Sequence, residues 1–150
     1  MKWPGITAVI IYKNRVLLLK RRNVPVILNP GIWAFLSGGR EKAEKYIETA
    51  YREITEESGI SRERLSLLYK SRVLMTDRKR GIMWQNALFI FRSSTNTVRL
   101  DYENSRYRWA SIKELENEVD YTSTFINGKM VINAIKGCMN GSIRPKKQGQ

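Results

Sequence analysis

A chain of 150 residues with 27 Lys and Arg against 14 Asp and Glu is the size of one domain, and its formal charge of +13 attracts polyanions such as nucleoside phosphates, nucleic acid or an anionic surface. It has no histidine and one cysteine, Cys138, which excludes imidazole-based triads, His-ligated zinc, thiolate metal clusters and internal disulfides. Catalysis must therefore run on carboxylates, amines, hydroxyls or a metal. The cysteine usage suits a reducing compartment, and no apolar run approaches the roughly 20 residues that cross a bilayer, so the sequence reads as cytoplasmic, with no membrane partner.

Two short apolar runs, residues 6–12 and 16–19, separated by Lys13-Asn14-Arg15, predict a β-hairpin whose second strand closes on Lys20, Arg21 and Arg22. Pro25, Pro30 and Gly31 predict a long loop over residues 23–37 with a short extended piece at 33–36. From residue 43 to 58, Ala43, Tyr46, Ile47, Ala50, Tyr51 and Ile54 recur at three- and four-residue spacing, predicting a helix with one buried face that Gly59 stops. Residues 65–74 and 84–91 have strand character around a charged turn at 77–81, and residues 106–109 form another short strand. The run 84–91 fits either the core or the contact of a homodimer. Ser111 with Glu114 three residues on marks a helix start, and residues 125–135 suggest one more helix. The chain then turns polar and basic, so the expected organisation is one α/β domain over residues 1–137 and a basic tail over 138–150.

The polar face of the first helix is ordered. Glu44, Glu48, Arg52 and Glu56 follow at i,i+4, while Glu53 lies three residues from Glu56 and four from Glu57, so Glu53, Glu56 and Glu57 can point into one small volume. Like charges near 4 Å repel by roughly 4 kcal/mol at an effective dielectric of 20, and such a cluster, once shielded from water, calls for a cation. Acidic oxygens without His or Cys suit Mg²⁺ or Mn²⁺. A solvated charged face is the ordinary alternative for a Glu-rich helix. Against it, residues 38–60 of this basic chain hold six of its fourteen carboxylates and only four bases.

Gly38, five residues, Glu44, seven residues, then Arg52-Glu53-Ile54-Thr55-Glu56-Glu57-Ser58-Gly59-Ile60 resembles a complete Nudix box, with every fixed position filled. At residue frequencies near 7%, seven fixed identities arise by chance at roughly 10⁻⁸ per starting position. The likeness extends to the strand ending in Lys20-Arg21-Arg22, the approach over residues 33–39, and Glu103 six residues before Trp109. One departure is Leu36-Ser37 where the family often carries Pro-Gly, followed here by Gly38-Gly39.

The resemblance implies a Nudix-type α/β/α sandwich on a mixed sheet and Mg²⁺-dependent hydrolysis of a nucleoside diphosphate linked to another group. Carried over, it assigns metal binding to Glu53, Glu56 and Glu57, with the Gly38 carbonyl and Glu103 as further ligands. It assigns proton removal to Glu53 or Glu103. Arg52 anchors the box by pairing with Glu44 or Glu48, and Gly59 supports it. Lys20, Arg21 and Arg22 at a strand end are candidate phosphate clamps, and Arg21, Arg22 and Gly39 are assigned to substrate binding. Trp33, Tyr69, Trp84 and Phe89 are candidates to stack on a base, or core residues.

The expected substrate is a nucleoside triphosphate or another nucleoside diphosphate derivative. The charge of +13, with Lys79-Arg80, Arg106, Arg108 and Lys146-Lys147, motivates an alternative, removal of pyrophosphate or a cap from an RNA 5′ end. A non-catalytic nucleotide- or RNA-binding module is the third reading.

Overall fold

The computed structural model describes residues 4–27, 29–117 and 128–144. Strands β1 (Gly5–Tyr12) and β2 (Arg15–Arg21) form the expected hairpin, but pair only near its turn, through Ile11 with Val16 and Tyr12 with Arg15. Beyond that point β2 peels away to pair with β3 (Trp33–Ala34), and along Val16–Arg21 it pairs with β7 (Asn104–Ala110). The vacated edge of β1 is taken by β4 (Leu36–Gly39), antiparallel, with Gly5 opposite Gly39 and Ile6 opposite Gly38. On its other side β1 runs parallel to β6 (Ile82–Ser93), which forms a long antiparallel hairpin with β5 (Leu65–Asp77). The seven-stranded mixed sheet is open. The fork between β1 and β2 gathers Gly5, Gly38, Gly39, Arg21, Asn86 and Asn104 at one end of it.

Alternation along the strands builds two cores. Ile6, Ala8, Ile10, Leu17, Leu19, Ala87, Phe89 and Phe91 face helix α1 (Tyr46–Ser58), where Ala50 and Ile54 are fully buried. Val9, Ile11, Val16, Leu18, Leu88 and Ile90 face the other way, onto Leu115 of α2 (Ile112–Asn117) and Val131, Ala134, Ile135 and Cys138 of α3 (Gly128–Asn140). The result is an α/β/α sandwich. Truncating Ile54 to Ala would cost about 2–5 kcal/mol, because it sits between α1 and the sheet with no room to relax.

Several elements depart from the sequence expectations. The first helix starts at Tyr46, not residue 43, because Ala43 adopts a left-handed φ of 69° and Lys45 is extended. Part of the expected loop is strand β4, made possible by close backbone approach: a Cβ on Gly5 would lie 2.2 Å from the Gly38 carbonyl oxygen. Strands β5, β6 and β7 outrun their expected ends. The Ser111 cap is as expected, with the Glu114 amide donating to Ser111 Oγ at 3.2 Å. Residues 118–127 lie outside the described region, and with them the expected start of the last helix at 125. That helix continues through Asn140 and buries Cys138, so the expected boundary at 137/138 falls inside it. Of the tail, residues 145–150 are outside the described region. Strand β6 lies between β1 and β5, and its buried Ala87–Phe91 stretch is core. Among the described residues no helix is long and apolar enough to cross a membrane.

Candidate active site

Arg52 organises the box. Its Nε and Nη2 donate to the two carboxylate oxygens of Glu44 at 2.8 and 2.9 Å, Nη2 also donates to the Gly39 carbonyl at 2.9 Å, and Nη1 reaches Glu53 at 2.8 Å and Glu56 at 3.3 Å. Glu44 is not part of the helical i,i+4 ladder. It precedes the helix and folds back eight residues, also accepting from the Glu41 amide and the Thr49 hydroxyl. The guanidinium fork, with the Glu41 amide and Thr49 hydroxyl, holds the Glu44 carboxyl down at about 2, and these carboxylates keep Arg52 firmly protonated. Glu48, the other expected partner, instead accepts from the Lys45 amide at 3.3 Å and caps the helix.

Gly38 is where β4 meets the helix. A Cβ there would stand 2.0 Å from Glu53 Cδ, so only glycine lets this carboxyl lie against the strand. Gly59 ends α1 with φ 73° and its amide donating to Thr55 O at 2.9 Å. Burial pushes the Glu53 carboxyl up to about 7 against the pull of Arg52, with Glu56 and Glu103 adding repulsion.

The three box carboxylates do not share one close group. Glu56 is exposed, Glu53 is mostly covered, and Glu57 is fully buried at 1% exposure. Burial, and then the charge of Glu53, drives the Glu57 carboxyl well above its usual range, while Arg21 and a hydrogen bond from Asn104 Nδ2 at 3.3 Å pull it back. The group that does converge joins Glu57 to Asp101 and Glu103 on the segment entering β7, with oxygens all within 4.8 Å of one another. Glu57 Oε2 has no hydrogen-bond partner among the described residues. A buried carboxylate oxygen left so beside two more acids fits a hard cation, and an all-oxygen donor set suits Mg²⁺ or Mn²⁺.

Beside these acids lies a cavity of about 330 Å³. Gly38, Gly39, Glu53, Glu103 and Arg21 are among the residues that line it, with Ile27, Phe35, Met75 and Trp84 as apolar wall and Thr7, Asn29 and Asn86 as polar wall. Of the four aromatic candidates Trp84 reaches the cavity wall. Phe89 is buried on the opposite face, Tyr69 packs into the α3-side core, and Trp33 carries the Arg108 guanidinium at 4.7 Å. Arg21 is on the wall. Arg22 is committed elsewhere: Nε donates to the Tyr102 carbonyl at 2.6 Å, its guanidinium lies over the Tyr102 ring, and its amide bonds Glu103 O at 2.8 Å. These contacts tie it to the segment bearing Glu103. Arg80, expected on an RNA surface, pairs with buried Asp77 at 3.2 Å and donates to the Ile27 and Pro25 carbonyls, fastening the loop that walls the cavity. Lys146 and Lys147 lie outside the described residues.

Asp101 and Asn104 were not anticipated. The signal available was Asp101-x-Glu103, two acids at strand spacing leading into a strand in an acid-poor chain.

The family model described as NUDIX domain matches residues 1–130. No curated protein matches in sequence. Among solved structures, the fold is similar to an Ap4A hydrolase from C. elegans, in a binary complex, at TM-score 0.75 and 18% identity, covering 93% of this chain and 99% of that one. A MutT protein from Methanosarcina mazei Go1 gives TM-score 0.66 and 20% identity over 95% and 98% of the two chains. A bifunctional NMN adenylyltransferase/ADP ribose pyrophosphatase from Francisella tularensis, complexed with AMP and a Mn ion, gives 0.68 and 20%, covering 91% of this chain but only 43% of that longer protein.

Proposed function

The chain belongs to the NUDIX domain family, hydrolases acting on pyrophosphate bonds, and from that premise we propose that it cleaves the pyrophosphate linkage of a nucleoside diphosphate derivative with the help of Mg²⁺ or Mn²⁺. The observation that carries this reading is the buried Glu57, one of its oxygens unpartnered, grouped with Asp101 and with Glu103, which lines the adjoining cavity of about 330 Å³. Nucleoside triphosphates fall in the substrate class, as do Ap4A and ADP-ribose, named for the similar structures.

Glu57 and Glu103 would hold the cation, and Glu53, Glu56 and the Gly38 carbonyl, which stand outside that close group, would serve a further ion. When bound, it supplies positive charge against the phosphate oxygens and lowers the pKa of water. Glu53 is the proton acceptor: Arg52 fixes one of its oxygens, and its carboxyl lies on the cavity wall against Gly38. The oxygen of water forms a bond to phosphorus, the bridging P–O bond breaks, the water proton passes to Glu53, and the departing phosphate carries the bond electrons. Arg21 at the wall offers a guanidinium to the phosphate chain, and Trp84 with Phe35 and Met75 offers an apolar seat for the base.

The test is a substrate panel of nucleoside triphosphates, sugar nucleotides, dinucleoside polyphosphates and 5′-triphosphate RNA, incubated with Mg²⁺ in ¹⁸O-labelled water and read by product mass. Label in a phosphate product of a small nucleotide supports the reading. Turnover confined to the RNA would replace it with the RNA 5′-end alternative, and no turnover of any member with the protein folded would overturn it.

A further inference from the structure

We propose that Asp101, which lies outside the box, completes a cation seat with Glu57 and Glu103, and that Asn104 is its positioning residue; this rests on the hydrolase reading above. The seat is built without Glu53 and Glu56. One acid comes from α1 and two from the segment leading into β7, and their oxygens lie within 4.8 Å of one another. Octahedral Mg²⁺ or Mn²⁺ with ligands near 2.1 Å sets its oxygens about 3.0 Å apart when adjacent and about 4.2 Å when opposite, so these side chains need little movement to share an ion.

A single buried amide holds the arrangement. Asn104, 2% exposed, donates from Nδ2 to Glu57 Oε1 at 3.3 Å and to Asp101 Oδ1 at 3.2 Å. Its place is set by the ladder, which puts Asn104 opposite Arg21 at the irregular step in β2. The bracket takes up one oxygen of each acid and neutralises neither. Glu57 Oε2 remains buried without a partner, pointing to a ligand and not to a solvated acidic surface. Asp101 therefore contributes both charge and a donor atom beside Glu57 and Glu103, while Glu53, bonded to Arg52, takes the proton.

The test is Mn²⁺ titration of the nucleotide-free full-length protein, following free Mn²⁺ by electron paramagnetic resonance, for wild type, Asp101→Asn and Glu57→Gln. Asn keeps an acceptor for Asn104 while removing the charge. Wild type is expected to bind Mn²⁺, and Asp101→Asn to weaken or lose one site by about 10-fold or more, with Asn104→Ala weaker in the same direction. An Asp101→Asn curve that superimposes on wild type while Glu57→Gln binds more weakly overturns this inference and leaves the hydrolase reading standing. Absence of binding by wild type up to millimolar Mn²⁺ overturns both. Anomalous scattering from Mn²⁺-soaked wild-type crystals needs no variant: a peak contacting Asp101 supports the seat, and peaks that all avoid Asp101 refute it.

Discussion

Replacing Glu53 by Gln is predicted to stabilise the cation-free protein above neutral pH while removing its activity. The Glu53 side chain is 12% exposed, and burial lifts its carboxyl from 4.5 to about 7 despite the Arg52 hydrogen bond. Between those values the native state keeps a proton that the unfolded chain has released, so stability falls as pH rises through this window, and the cost is complete above 7. A displacement of that size corresponds to about 3 kcal/mol, and screening by water reaching the carboxyl leaves on the order of 2 kcal/mol. Gln preserves an acceptor for Arg52 Nη1 without the charge. In a domain of this size the gain raises Tm by about 4–8 °C. Thermal unfolding followed by circular dichroism in EDTA, at pH 8 and pH 4.5, checks it: the variant melts higher at pH 8, and the gap closes near pH 4.5. Added Mg²⁺ should raise the wild-type Tm more than the variant's, because the cation relieves the same penalty. A gap that does not change with pH, or a variant less stable at pH 8, would refute the reasoning.

Gly38→Ala places a methyl where Glu53 Cδ now lies, so kcat should fall by about 100-fold through displacement of that carboxyl, with circular dichroism unchanged and Tm only moderately lower. Arg80→Met removes the guanidinium bonds to Asp77 and to the Ile27 and Pro25 carbonyls, leaving the loop that walls the cavity tied to Asp77 by the Asn29 amide, so steady-state kinetics should show KM rising several-fold with kcat nearly kept, and Tm should drop by the equivalent of about 2 kcal/mol. Glu44 and Asp77 are held below the usual carboxylate range, Glu44 chiefly by Arg52 and Asp77 by the Asn29 and Arg80 amides against its burial. The stability Glu44 confers is present above about pH 4.5 and lost as pH falls toward 2, and that of Asp77 is present above about pH 3.8 and lost as pH falls below it. Acid titration followed by fluorescence should show a shallower low-pH loss for Glu44→Gln than for wild type.

What could be read from the sequence was what local spacing encodes. Alternating apolar residues in β1 and β6 and the three- and four-residue repeat of α1 follow from which face each side chain must bury. That Arg52, Glu53, Glu56 and Glu57 share one helix was legible from their spacing, whereas the parting of Glu57 from Glu53 and Glu56 toward Asp101 and Glu103 was not. What escaped was set by pairing between distant segments. Strand β4 was hidden because Ser37-Gly38-Gly39 has little strand preference of its own; it forms because Gly5 and the two glycines let backbones meet. The helix start was misplaced because Arg52 draws Glu44 out of a helical position, and the chain before Tyr46 turns through Ala43 to permit it. Asp101 and Asn104 reach Glu57 only through the register of β7 on β2, which no local pattern states. The packing of Arg22 on the Tyr102 ring and carbonyl likewise joins distant segments and was not legible from its place at a strand end.

Glu57 offers the most direct measurement of the central claim, that a buried acid on this helix exists to hold a cation against a diphosphate. Hydrolysis of the best substrate should be followed against Mg²⁺ concentration for wild type and Glu57→Gln, with folding verified by thermal unfolding in EDTA. The account predicts saturable Mg²⁺ dependence in wild type, and in Glu57→Gln a protein at least as stable without cation whose turnover is lost or needs far more Mg²⁺. Turnover equal to wild type in the folded variant, or wild-type turnover indifferent to EDTA, would contradict it.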